Sequence, residues 1–383
     1  MVAIPPASTG SYPRRDGNLV RPLIGAAATF RRIAEAVDAA RHSVWLTVTF
    51  YADDFRFPDG RALFDLLDQA AARGVDVRIL FWRHNPETSH YGRTLWGTPA
   101  ERDMLSARRS QLRIRWDRAA SVYCHHQKSW LIDAGQESET AFVGGLNLTS
   151  KSYDRHDAYA EVTGPSATDV HHNFVERWNG ASERHMPDGN WGCDASDALP
   201  SPGAPSAARG SSTVQIQRMF GGDRSILEQY QRAIDAARRS IYIENQAIPI
   251  PVIAERLGRA LARGVEVTLL VPSVPEEYVY EARKDPARRA LFEGVEALSR
   301  SPGFRLAGIS SYVHAKLMII DDEWATIGSC NLHAFSLGGH SEMNASIWDA
   351  GIAHALRNHL RCQHAGDMFT LEPRLYGIER RGR

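Results

Sequence analysis

The chain says the same thing twice, and that duplication limits its fold more than any other feature. Ala36-Val37-Asp38-Ala39-Ala40-Arg41-His42-Ser43-Val44-Trp45-Leu46-Thr47 has a counterpart in Ala233-Ile234-Asp235-Ala236-Ala237-Arg238-Arg239-Ser240-Ile241-Tyr242-Ile243-Glu244. Further on, Ala72-Arg73-Gly74-Val75-Asp76-Val77-Arg78-Ile79-Leu80 is matched by Ala262-Arg263-Gly264-Val265-Glu266-Val267-Thr268-Leu269-Leu270. A period this long, occurring twice, means duplicated lobes rather than a solenoid of short stacked units. The 383 residues also exceed the length at which one hydrophobic core keeps growing. Residues 1–185 are therefore expected to form one lobe and residues 213–383 the other. Between them, 186–212 is rich in Pro, Gly, Ala and Ser without an apolar period, and reads as a linker.

Each unit opens with a helical apolar pattern, Phe30, Ile33, Ala34 and Val37 in the first and Tyr230, Ala233, Ile234 and Ala237 in the second. Ser225-x-x-Glu228 predicts a capping box for the second helix. A strand rich in β-branched residues follows (Val44 to Phe50; Ile241 to Ile243), then a helix ending at Gly74 or Gly264, then another strand (Val75 to Phe81; Val265 to Val271). That βαβ order predicts an α/β fold, with a mixed, largely parallel sheet in each lobe flanked by helices. Two excursions, Arg83 to Arg118 and Ser273 to Ser311, read as long loops suited to substrate selection.

Four lysines stand against 41 arginines, and two of the four close matched motifs, His126-x-Lys128-x4-Asp133 and His314-x-Lys316-x4-Asp321. A glycine turn and an asparagine follow each, Gly144-Gly145-Leu146-Asn147 and Gly328-Ser329-Cys330-Asn331. The motif strands are expected over Tyr123 to Ile132 with Thr140 to Val143, and over Tyr312 to Ile320 with Trp324 to Ile327. On a strand, residues two apart share a face, so each histidine should project with its lysine. Asp133 and Asp321, at odd offsets and at the strand end, read as structural, pairing with a base or capping the turn.

Imidazole, ammonium and carboxamide in duplicate suit phosphoryl transfer. One histidine can attack phosphorus while the other protonates the leaving oxygen. Two lysines and two asparagines then supply donors to the non-bridging oxygens. No metal or other cofactor is needed by this chemistry, and no carboxylate cluster of the usual kind offers to hold a metal.

Composition excludes other classes. Acidic and basic residues balance at 45 each, so no global field draws the chain to nucleic acid or an anionic membrane. Pro22 to Phe30 is too short and too bracketed by arginine for a membrane span or signal peptide. The expectation is a soluble protein, cytoplasmic or delivered without a cleaved signal peptide. Cys124, Cys193, Cys330 and Cys362 form no C-x-x-C pair, which predicts free thiols and, for Cys124 and Cys330, packing rather than reactivity.

At these residues the sequence resembles the phospholipase D superfamily, and more narrowly its lipid-hydrolysing members. The resemblance is carried by Tyr312 to Asp322, Ile327 to Leu332, Ser341-Glu342, His125 to Lys128 and Phe142 to Gly145. Gly164-Pro165, Phe174 to Trp178, Arg224 to Ile226 and Ile241 to Gln246 extend it, so that it covers about Arg31 to Trp348. It implies a pseudo-twofold pair of lobes with the active site at their interface. It also implies a phosphohistidine on His126, with His314 as general acid. Asp157 and Glu342, at parallel distances after Asn147 and Asn331, fall where the family's acidic residues orient the histidines. Gly145 against Ser329 marks the two half-sites as unequal, in keeping with distinct roles.

The resemblance implies a phospholipase D that hydrolyses a glycerophospholipid to phosphatidic acid, with transfer to alcohols as a further reaction. Its partners would be the phospholipid and, transiently, a membrane surface, with no nucleic acid, and the chain acting as a monomer. The alternatives are a cardiolipin synthase-like phosphatidyltransferase, which the missing membrane anchors disfavour, a nuclease of the same superfamily, and a non-catalytic relic.

Overall fold

A computed structural model describes residues 4–109, 111–181, 183–185, 197–275 and 277–372. The first half contains β1 (Arg15–Ile24), α1 (Ala26–Ala39), β2 (Ser43–Val48), α2 (Leu63–Ala72), β3 (Asp76–Trp82), α3 (Pro99–Ala107) and β4 (Arg113–Asp117). It continues through β5 (Ser129–Ile132), β6 (Thr140–Gly144), β7 (Arg155–His156), β8 (Ala158–Thr163), α4 (Ala167–Gly180) and β9 (Glu183–His185). The second half begins with β10 (Ser212–Phe220), β11 (Asp223–Arg224), α5 (Ser225–Ala236), β12 (Ser240–Asn245), α6 (Pro251–Ala262), β13 (Glu266–Leu270), α7 (Glu277–Lys284) and α8 (Arg289–Leu298). It ends with β14 (Phe304–Gly308), β15 (Tyr312–Val313), β16 (Lys316–Ile320), β17 (Trp324–Gly328), α9 (Ala334–Gly338), β18 (Glu342–Trp348), α10 (Ala350–Gln363) and β19 (Phe369–Thr370).

The halves repeat strand for strand. Pairing runs β9-β4-β3-β2-β5-β6-β8-β1 in the first and β19-β14-β13-β12-β16-β17-β18-β10 in the second, and β1 joins β10 to make one continuous sheet. The α/β class and the mixed sheet agree with the sequence reading, but the parallel part is smaller than expected. Among the described strands, β2-β3-β4, β12-β13-β14 and the short β7-β15 pair run parallel, and isolated parallel bridges join Tyr51 to Leu148 and His125 to Ser341. The motif strands β5-β6 and β16-β17 are antiparallel hairpins, because turns this short cannot make the crossover that parallel pairing requires. Asp133, at φ 52, and Asp321, at φ 54, begin those turns. The two excursions are not bare loops. They carry α3 and β4, and α7, α8 and β14, each supplying the third parallel strand.

Helices α1 and α2 bury Phe30, Ile33, Val37, Leu63, Leu66 and Leu67 against β2 and β3 in one core. α5, α6 and α8 bury Tyr230, Ile234, Leu257 and Val295 in a second. A third core lies between the two halves of the sheet. Val143, Ala160 and Val162 from the first half meet Ile327, Met343 and Ile347 from the second there, with α4 and α10 closing it through Phe174, Trp178, Leu356 and Leu360.

Residues 4–11 cross to the second half. Ala7 N donates to Gln229 Oε1 at 2.7 Å, and Trp348 Nε1 donates to Ile4 O at 2.8 Å. This crossing displaces the expected capping box. Arg224 is the N-cap of α5 without a side-chain bond, and the Glu228 carboxylate instead accepts from the Ser8 and Thr9 backbone at 3.1 and 3.0 Å. Of the expected linker, 186–196, with Cys193, lies outside the described residues. Residues 197–211 run without helix or strand, tied to the first half through Leu199 and Asn179 at 2.8 Å.

Candidate active site

Strand β5 begins at Ser129 and β16 at Lys316, so neither motif histidine lies in the regular strand that its spacing predicts. At each histidine the backbone leaves its own hairpin and bonds to the other half. His126 N donates to Ser341 O (2.8 Å) and Ser341 N to Cys124 O (3.0 Å), while His314 N donates to His156 O (2.8 Å) beside the β7-β15 pair. The lysines fold back on their own histidines. Lys128 Nζ donates to His126 O at 2.7 Å and Thr49 Oγ1 at 3.2 Å. Lys316 Nζ donates to His314 O and, at 3.1 Å, to Gln246 Oε1. Thr49 and Gln246 occupy the same position in the two repeats.

The carboxylates are exchanged between the halves. Glu342, which opens β18, faces His126 Nδ1 at 2.9 and 3.0 Å, and Asp157, between β7 and β8, faces His314 Nδ1 at 2.6 Å. The family resemblance pointed to both acids, at parallel distances after the motif asparagines, but only the fold shows that each serves the other half's histidine. The Gly145/Ser329 asymmetry now has a cause. A Cβ on Gly145 would stand 2.5 Å from Asp157 Oδ1, so the short carboxylate closes directly onto the chain. The longer Glu342 leaves room for Ser329, whose hydroxyl donates to Glu342 Oε2 at 2.6 Å, and Ser336 donates to the other oxygen.

All of these groups are buried, His126 at 7 % exposure and His314 at 3 %. Burial, reinforced by the Lys128 and Lys316 ammoniums, pushes His126 well below the ordinary imidazole range. Burial and then Lys316, Arg155 and Lys128 do the same to His314. Burial also raises Glu342, raises Asp157 to about 6 and lowers Lys128 to about 7. In both pairs burial outweighs the mutual attraction, and a neutral imidazole is bonded to a carboxylate. With Nδ1–H donated to the carboxylate, Nε2 keeps its lone pair, on His126 the form a nucleophile requires and on His314 a base that must take up a proton before it can serve as an acid.

Asp133 and Asp321 stand apart from this chemistry. Asp133 Oδ1 accepts from Arg41 N (2.9 Å), His42 N (2.7 Å) and Ser43 N (3.3 Å), and Asp321 accepts from Arg238 N, Arg239 N and Ser240 N at 2.7 to 2.9 Å. Each ties the chain leaving the first helix of its repeat to the end of the motif strand. The caps are to backbone, where the sequence left open a basic partner. Asn147 and Asn331 are buried, and the Oδ1 of each has no hydrogen-bond partner. Cys124 and Cys330 are free and buried, their thiols raised by that burial, so packing is their role, while Cys362 is free and exposed.

Sequence reasoning missed the segment between Asn331 and Glu342. His340 Nδ1 accepts from Cys124 N at 3.1 Å and its ring lies 5.9 Å from that of His126. His333 caps α9 by accepting from Ser336 N at 3.1 Å, and burial lowers it to about 4. Two further histidines so close after a motif asparagine were the available signal.

A family profile described as "Cardiolipin synthase, PLD-like domain" matches residues 33–178 and 230–362. Among curated relatives, a cardiolipin synthase A of Pseudomonas putida is 27% identical, covering 92% of this chain and 69% of its own. A cardiolipin synthase of Listeria monocytogenes serotype 4a is 24% identical, covering 90% of this chain and 68% of its own. Among solved structures, a phosphatidylserine synthase from Haemophilus influenzae Rd KW20 superposes with TM-score 0.67 at 15% identity, covering 92% of this chain and 87% of its own. A polyphosphate kinase from Porphyromonas gingivalis gives TM-score 0.58 at 16% identity, covering 94% of this chain and 49% of its own. At such identities these two likenesses speak for the fold alone.

Proposed function

The chain belongs to the phospholipase D-like family of cardiolipin synthase type, and from that premise we propose that it is a phosphatidyltransferase acting through a phosphohistidine. The narrower resemblance to lipid-hydrolysing phospholipases gives way here. The curated relatives are named cardiolipin synthases, which favours transfer to an alcohol over hydrolysis as the main reaction. The absence of an apolar span weighed against this reading at the sequence level. No helix among the described residues is long and apolar enough to cross a membrane, but the curated relatives extend well beyond their match, and transfer chemistry requires no span in this region.

The observation that carries the proposal is the exchanged carboxylate pair. Each histidine has Nδ1 fixed by an acid of the other half and Nε2 left for chemistry. His314 first takes up a proton on Nε2, Asp157 holding its Nδ1–H. His126 Nε2 then attacks the lipid phosphorus, the P–O bond to the leaving alcohol breaks, and His314 gives that oxygen its Nε2 proton and returns to the neutral form. The reverse follows with a new alcohol. His314 takes back the hydroxyl proton, the acceptor oxygen attacks phosphorus, and the P–N bond breaks to restore His126. Lys128 and Lys316 neutralise the non-bridging oxygens, and no metal enters. Both histidines and both acids lie within one chain, so the proposed site needs no residue from a second copy. The substrate side is a membrane surface visited transiently, and the balanced charge argues against nucleic acid.

Hydrolysis is the same second step with water as acceptor. The test is purified protein with phosphatidylglycerol vesicles, with and without added ethanol, read by lipid mass spectrometry. Diphosphatidylglycerol or the phosphatidyl-alcohol is expected to exceed phosphatidic acid. Phosphatidic acid dominating under all acceptors would return the chain to the hydrolases. Cleavage of single-stranded DNA far faster than any lipid, lost in His126→Ala, would make it a nuclease.

A further inference from the structure

A second cluster of ligand-type side chains lies beside Asp157, outside the machinery just described. His156 Nε2 is 2.6 Å from Glu244 Oε2 and His364 Nε2 is 2.9 Å from Glu244 Oε1. The three ligand atoms lie within 4.8 Å of one another. His156 comes from β7 in the first half, Glu244 from β12 in the second, and His364 follows α10 as its C-cap, so the cluster joins the halves. All three are buried, at 4 %, 0 % and 3 % exposure. The Tyr242 hydroxyl donates to Glu244 Oε1 at 2.5 Å, fixing the carboxylate from behind. A cavity of about 550 Å³, lined by His156, His364, Arg155, Ser311 and Asp367 among others, leads to the two imidazoles.

The fold does not require this cluster. The corresponding positions in the other half are Ser341 for His156, Thr47 for Glu244 and Ala181, the C-cap of α4, for His364. None of those carries an imidazole or carboxylate. Two imidazoles and a carboxylate have therefore been placed together on one side of the pseudo-twofold only.

We propose that His156, Glu244 and His364 bind one divalent transition-metal ion, Zn²⁺ by ligand type, which clamps the two halves together beside the active site. Imidazole and carboxylate are borderline ligands suited to zinc, and three protein ligands leave a fourth position for water, here on the side of the cavity. With Zn–N and Zn–O bonds of about 2.0 to 2.1 Å, neighbouring ligand atoms of a tetrahedral site stand roughly 3.3 Å apart. The two imidazole–carboxylate contacts open by less than about 1 Å to reach that spacing, and the remaining separation, within 4.8 Å, closes to it. The ion takes the place of the bridging protons, each neutral imidazole carrying its proton on Nδ1 instead of Nε2. His156 O accepts the His314 N–H at 2.8 Å, so an ion on His156 steadies the backbone that holds His314 and Asp157 without touching the reacting atoms. This site is independent of the transferase reading.

The test uses untagged full-length protein, treated with EDTA and desalted, then equilibrated with ZnCl₂. Bound zinc is measured by inductively coupled plasma mass spectrometry after dialysis, alongside Tm. One ion per chain and a raised Tm are expected, with both effects retained in His126→Ala and lost in His364→Ala. Co²⁺ added to the wild-type protein should give the visible d–d absorption of a nitrogen- and oxygen-ligated ion, a reading that does not depend on the variant folding. Zinc retained in His364→Ala, zinc lost in His126→Ala, or a featureless cobalt spectrum would overturn the proposal.

Discussion

At Gly145 and Ser329 one position holds two solutions to the same problem, and exchanging them should damage the two histidines unequally. An alanine at 145 puts its Cβ 2.5 Å from Asp157 Oδ1 and drives that carboxylate off His314. Gly145→Ala is expected to lower kcat by roughly 10- to 100-fold, the usual loss when an orienting partner is displaced. Ser329→Ala removes one hydroxyl from Glu342 while Ser336 keeps its own bond, so its kcat should stay within about tenfold, near the loss of a single hydrogen bond. Steady-state kinetics on a short-chain lipid, with circular dichroism melts as the folding control, separates the two. The pH profile follows from the same residues. Asp157, raised to about 6, must be ionised to hold His314, so activity falls as pH drops through about 6. Lys128, lowered to about 7, must be charged to neutralise phosphate, so activity also falls as pH rises through about 7. The kcat/KM profile should be a narrow bell, with the alkaline limb of kcat displaced upward because bound phosphate favours the charged lysine. A flat profile from pH 5 to 9 would contradict both roles. The histidines and lysines were legible as residues from the duplicated motif, and the acids Asp157 and Glu342 from the family resemblance. Ser336 and His340 were not, because their roles arise from a turn of chain that no repeat announces.

The turn aspartates define what an element contributes here. Asp133→Ala removes three backbone bonds at a left-handed position, and should cost about 1.5 to 3 kcal/mol of stability, the range for a hydrogen bond to a charged group. Asp321→Ala should behave alike. Chemical denaturation is expected to show that loss while kcat, measured well below the midpoint, is unchanged. A collapse of kcat with stability intact would instead put these aspartates in the chemistry. The helices and the first two strands of each repeat could be read from apolar spacing, because each buries a continuous face. The third parallel strand could not. In Arg113-Ile114-Arg115-Trp116-Asp117 the arginines alternate with the apolar residues and hide a short strand inside an apparent loop, although Arg115 is itself buried. The capping box at Ser225 failed for a related reason. Glu228 had a better partner in the distant backbone of Ser8 and Thr9, and local spacing cannot see such a competitor.

For the whole molecule, the shared core decides that the halves are inseparable. Val143, Val162, Ile327, Met343 and Ile347 are each 1 % exposed or less. Exposing a fully buried side chain of this size forfeits about 1.5 to 3 kcal/mol, so losing this surface consumes most of the 5 to 15 kcal/mol that stabilises an ordinary domain. Halves cut within 186–196 should each be inactive and poorly folded when expressed alone, and should recover activity only when produced together. Turnover by a monomeric isolated half, checked by light scattering, would refute the shared site. Duplication announced two lobes, but which acid serves which histidine depends on how the sheets meet, and spacing along the chain carries no record of that. The most direct test of one site with divided roles is to trap the covalent intermediate. His314→Ala is mixed with a phosphatidyl ester of a good phenolic leaving group, quenched, digested and read by mass spectrometry. The expected result is about one phosphatidyl group per chain on the peptide carrying His126, accumulating because no acid or base remains to complete the transfer, and no adduct on any histidine in His126→Ala. An adduct on His314 in His126→Ala, with none on His126 in His314→Ala, would reverse the roles and contradict the mechanism.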